Sequence, residues 1–72
     1  MPTQNTGASD VTYNLTSVLY HALQGAENYE RYARDAEQEN DSDLASFFKE
    51  VQQQEQSRAE KAQRLLAQRL HQ

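Results

Sequence analysis

From residue 11 onward, apolar side chains recur three and four positions apart: Val11, Leu15, Val18, Leu19, Ala22, Ala26, Tyr29, Ala33 and Ala36. That spacing is one face of an α-helix. The helix is predicted to begin at a cap on Ser9 or Asp10 and to run to about Glu39. The run Glu39-Asn40-Asp41-Ser42-Asp43 is the one clear break: Asn40 suits the left-handed conformation that ends a helix, Asp41 or Ser42 can cap the next, and Asp43 suits its positive end. A second apolar face follows in Leu44, Phe47, Phe48 and Val51, then Ala59, Ala62, Leu65, Leu66 and Leu70. Lys61, Arg64, Arg69 and His71 gather toward its end, where cations complement the helix dipole. Each helix should be roughly 40 to 45 Å long. The expected fold is all-α, an antiparallel two-helix hairpin. Packed only on each other, the helices would leave Tyr13, Tyr20, Tyr29 and Tyr32 half wet, so two hairpins are expected to pair as a homodimeric four-helix bundle.

The second apolar face is interrupted. Over VQQQEQSRAEKA, residues 51–62, inward positions are polar for about two turns. In an antiparallel hairpin turning near Asn40 and Asp41, residue 55 lies opposite roughly residue 26 and residue 58 opposite roughly 23. The first helix is slimmest there, with Ala22, Gly25 and Ala26. Small residues leave room that Glu55 and Arg58 can fill, so a polar layer is expected to cross the bundle. Such a layer fixes register and partner number at some cost in stability. Inward carboxylates at mid-bundle are also how helical proteins hold pairs of metal ions, which keeps a metal reading open.

Composition narrows the classes. With 72 residues the chain is one domain, near the lower limit at which a single core sustains a fold. We read 1–8 as a flexible polar tail, holding Pro2 and Gly7, and 9–72 as the helical domain. There is no cysteine, so disulfides and thiolate metal sites are excluded and a reducing cytosol is expected. The start, MPTQNTGASD, carries neither the basic nor the apolar residues of a targeting leader, and no stretch is apolar enough to span a bilayer. Two Asn-x-Ser/Thr matches, at Asn14 and Asn40, are read as chance. A formal charge of −4 and a pI near 4.9 repel phosphate backbones and anionic lipid, so nucleic acid and membrane are not the expected partners.

Two stretches carry a family pattern: YERYARDAEQENDSDLASFFKEV, residues 29–51, and EQSRAEKAQRLL, residues 55–66. In them the chain resembles the ferritin-like superfamily, in particular the small proteins related to rubrerythrin and to encapsulated ferritin. The first is similar to that family's first helix, acidic turn and entry to the second helix; the other is similar to the segment bearing its Glu-x-x-His pair. The resemblance covers most of residues 18–70 and implies a di-iron four-helix scaffold. Carried over, Glu55 falls on the motif's glutamate and Arg58 where the motif has its histidine. Arginine is always charged and offers only donors, so it repels a cation rather than binding one. Counting back from Glu55 places the first-helix ligand around Ala22 or Gly25, and the nearest acid is Glu27.

Two functions from different classes follow. The first is a non-catalytic assembly or interaction module with a degenerate di-iron site, in which the Glu55–Arg58 pair occupies the level the metal once held. The chain's partner is then itself, with an unidentified protein partner left open; a third reading is a detached version of a domain normally fused to another protein. The second is an iron-binding, ferroxidase-like oxidoreductase or an iron-storage protein, with His21, Glu27, Glu30 and Glu55 as substitute ligands across a subunit interface. The plainer reading of Glu27 and Glu30 is surface pairing with Arg31 and Arg34 at four-residue spacing. There is no phosphate-cradling loop, nucleophile elbow or His-Glu-x-x-His pattern.

Overall fold

The computed structural model describes residues 10–70; the expected tail over 1–8, Ser9 as a cap and His71 lie outside them. Helix α1 spans Asp10–Gln38 and helix α2 spans Ser42–Leu70. They pack against each other as a hairpin, and no strand occurs among the described residues. At 29 residues each, both are about 43 Å long.

The turn is built from two caps that share one residue. Asn40 has φ 62°. Its N–H donates to Glu37 O at 3.0 Å and the N–H of Asp41 donates to Ala36 O at 3.0 Å. This pair of bonds around a left-handed residue is a Schellman motif, and it closes α1 at Gln38, one residue short of the expected Glu39. Asp41 then caps α2: its Oδ1 accepts from the Leu44 N–H at 3.2 Å and its carbonyl from Ala45 N at 3.0 Å. Between the two cap choices open in the sequence, Asp41 is the one used. Beyond the turn, Lys49 and Glu37 pair across the helices at 2.7 Å.

The core of this hairpin is made of alanine. Ala22, Ala26, Ala33, Ala36, Ala45, Ala59 and Ala62 are the buried hydrophobic residues among those described. Small side chains let the two backbones approach closely, but each buries little apolar area. The larger apolar side chains lie on the flanks and remain wet, with Val11, Val18, Tyr20, Leu23, Tyr32, Leu44 and Phe47 between 38 % and 61 % exposed. In its thinnest dimension the molecule measures 13 Å, about one helix diameter, so neither broad face of the hairpin is covered.

Candidate functional site

Seven-residue spacing sorts the side chains of each helix into two stripes. On α1, Ala22, Ala26, Ala33 and Ala36 turn toward α2 and are buried, whereas Val11, Val18, Gly25 and Tyr32 recur every seventh residue along an adjoining stripe. Val11, Val18 and Tyr32 on that stripe are exposed. On α2, Leu44, Val51, Arg58 and Leu65 form the matching stripe beside buried Ala45, Ala59 and Ala62. The stripes flank a groove between the helices on one face of the hairpin.

Two depressions occupy this groove. Near the middle, Ser17, Val18, His21, Ala22, Gly25 and Tyr29 of α1 face Glu55 and Arg58 of α2 around about 410 Å³. Near the turn, Tyr32, Ala36, Leu44 and Phe48 floor a larger space of about 510 Å³ that is rimmed by Asp35, Glu39 and Asp41. An aromatic cluster lies between them. Tyr29 meets Tyr32 edge-on at 5.4 Å between ring centres, and Phe48 lies 5.6 Å from Tyr32 and 6.4 Å from Tyr29.

At this level Glu55 and Arg58 form an ion pair within α2. Arg58 Nη1 donates to Glu55 Oε2 at 2.5 Å. Glu55 points inward, its side chain 19 % exposed, whereas Arg58 is 54 % exposed at the mouth of the groove. The glutamate lies over Gly25, where a Cβ would stand 3.5 Å from Glu55 Cγ. Glu55 and Gly25 therefore meet as the slim face of α1 implied. His21 lines the same space, accepts or donates with Ser17 Oγ through Nδ1 at 3.3 Å, and meets Tyr20 edge-on at 5.4 Å.

The four substitute metal ligands are not brought together in one chain. His21 and Glu55 share the mid-groove space. Glu27 lies two residues beyond Gly25, on the opposite side of α1, and is exposed. Glu30 is exposed and bonds Arg34 at 3.3 Å, the surface pairing read from its spacing. The other such pair does not form: Arg31 donates to Asn28 Oδ1 at 3.2 Å and lies 5.7 Å from the centre of the Tyr32 ring. Among the described residues, no group of three or more His, Cys, Asp or Glu side chains is placed to hold a metal ion. The Ser17–His21 contact offers a hydroxyl and an imidazole, but its exposed helical setting supplies no backbone donors for a developing oxyanion, since amides inside a helix are already bonded.

No family model, curated protein or solved structure matches this chain. Its chemistry is therefore read from the groove itself. Neither helix is long and apolar enough to cross a membrane among the described residues. The acid-rimmed space near the turn was the feature sequence reading missed. Leu44 and Phe48 were legible as core positions, and Asp35, Glu39 and Asp41 as a charged turn, but only the crossing of the helices puts the acids around the rings.

Proposed function

We propose that this chain is a non-catalytic helical assembly module of ferritin-like type: two hairpins pair through their groove faces into a four-helix bundle, and the Glu55–Arg58 layer sets the register at its centre. The observation that carries the reading is the mismatch between core and flank. Every residue named in the core is alanine, while Val11, Val18, Tyr32 and Leu44 stand exposed along the groove stripes. A monomer would leave that face unsatisfied. Two helices of this length side by side present a face of roughly 850 Å², close to the about 800 Å² per partner that a stable pair of proteins buries.

A polar layer in the middle of an otherwise apolar seam supports a register role. Sliding one hairpin by a turn would lay the Glu55–Arg58 pair, which stays bonded within α2, against alanine or leucine of the partner and desolvate it with no polar group across the seam. The ferritin-like part of the reading rests on Glu55 turned inward at mid-helix with Arg58 three residues on at the groove mouth, where the resembling family has its Glu-x-x-His pair. Arg58 supplies there the positive charge that an ion would otherwise supply.

Native mass spectrometry of metal-depleted protein, with and without added Fe²⁺, Mn²⁺ and Zn²⁺, reads both halves of the proposal. The expected species is a dimer without stoichiometric metal. A monomer at micromolar concentration would sink the assembly reading, and a dimer holding one or two ions per pair would replace it with the metal-binding one. In the variant Arg58→His, recovery of Fe²⁺ binding is the result expected of a degenerate di-iron site.

A further inference from the structure

The groove face is unequal along its length in two independent ways. The first is charge. On the groove itself the turn half presents Asp35, Glu39 and Asp41 at its rim, whereas beyond Glu55 the matching stripe of α2 presents Arg58 and, eleven residues on, Arg69. The second is bulk. The turn half is floored by the rings of Tyr29, Tyr32 and Phe48 with Leu44, whereas the open half offers Val18, Ala22 and Leu65 with the smaller ring of His21.

The contact of Gly25 with Glu55 lies near the midpoint of both helices, so the two halves are of equal length. Ala36 and Leu44 stand eleven residues from that contact on the turn side, and Asn14 and Leu66 eleven residues from it on the open side, about 16 Å in each direction. Resting on the pairing proposed above, the geometry points to a head-to-tail dimer, in which each hairpin lays its open end over the turn half of a second copy.

The aromatic groove of about 510 Å³ beside each turn then receives the open end of the partner, with half-buried Leu65 and Leu66 as the apolar filling. Arg69 stands fourteen residues beyond Glu55, the same step that separates Glu55 from Asp41 and Gly25 from Glu39. Its guanidinium therefore arrives at the level of two carboxylates on the groove rim. It donates one N–H to Leu65 O within its own helix, and the remaining four are free for that rim. The alternative, with both turns at one end, would set the acidic rims of the two turn grooves beside each other and rings against rings, and would carry Arg69 away from either rim. Charge and volume choose the same orientation.

The chain has no cysteine, so one introduced thiol reports cleanly. The full chain carrying Ser42→Cys, spin-labelled, is measured by double electron–electron resonance while light scattering gives its mass. Ser42 is exposed and lies thirteen residues from Glu55, so head-to-tail pairing places the two labels about 40 Å apart and the alternative places them within about 20 Å. Gln24→Cys, exposed at the mid-level, gives a short distance in either orientation and confirms that paired labels are seen. A dimer with the long distance at residue 42 is the expected result. A dimer with the short distance overturns the orientation and leaves the assembly reading intact; a monomer overturns both. The variant Arg69→Glu should weaken a head-to-tail dimer about tenfold, because it places an acid beside the acids of the rim, whereas a tightened dimer would contradict it.

Discussion

Gly25 is the most direct test of how the middle of the hairpin is built. The residue sits inside α1, where glycine is less favourable than alanine by about 1 kcal/mol because the unfolded chain has more freedom to lose. Its backbone is regular helix, so the substitution carries no conformational strain. The new Cβ would stand 3.5 Å from Glu55 Cγ, 3.7 Å from Glu55 Cδ and 3.7 Å from Tyr29 Cε2, all ordinary van der Waals separations. Nothing must shift, and the methyl adds contacts to a space that is now open. Gly25→Ala should therefore stabilise the hairpin by about 1 kcal/mol, close to the full propensity difference, which for a domain of this size raises the midpoint of thermal unfolding by roughly 4 to 8 °C. The assay is urea and thermal unfolding followed by circular dichroism, at one fixed protein concentration because pairing adds a concentration-dependent term. Gln24→Ala, on the exposed side of the same turn, is the control and should move stability by no more than a few tenths of a kcal/mol. A lower midpoint for Gly25→Ala would refute the reasoning. It would mean that something packs on Gly25 more closely than Glu55 does, and the first place to look would be the second copy of the proposed pairing.

Three further substitutions probe the turn, the aromatic cluster and the polar layer. Asp41→Ala removes the oxygen that accepts from the Leu44 N–H and should cost about 1 kcal/mol in the same unfolding assay; an unchanged midpoint would show that Ser42 takes over the cap. Phe48→Ala deletes the ring that joins Tyr29, Tyr32 and Phe47 and should cost about 2 to 3 kcal/mol, the lower part of the range for phenylalanine because Phe48 is only half buried. Arg58→Leu replaces the exposed end of the polar layer with an apolar residue, and the dimer it forms should separate into more than one register in labelled-distance measurements; a single sharp distance would remove the register role from the Glu55–Arg58 pair.

Much of this architecture was legible from spacing alone. Three-and-four periodicity placed both helices, and Asn40 and Asp41 marked the turn, because left-handed caps and side-chain caps depend on chemistry within a few residues. The meeting of Glu55 with Gly25 was also legible, since a hairpin of known turn fixes which levels face each other. What the spacing left open was which apolar residues are buried. Periodicity treats Leu15, Val18 and Ala22 as one face, yet the helices close on the alanines and leave Val18 outside, because a single neighbouring helix covers a narrower arc than the apolar stripe occupies. Glu27 was open to more than one reading for a related reason: proximity in sequence to Gly25 places it near the layer in number but on the far side of the helix in space.

The same arc argument explains why the polar layer sits where it does. An alanine seam brings two helices close, and a long inward side chain fits most readily where the facing residue is glycine. Glu55 takes that one opening, and Arg58, one turn further and on the stripe beside the seam, reaches out to the groove mouth with 54 % of its side chain exposed. In water an ion pair so exposed contributes little. Covered by a second groove face, the same pair would be desolvated, and the difference between matched and mismatched charges would grow as the local dielectric fell. The pair is thus poorly placed to hold one hairpin together and well placed to discriminate among ways of joining two.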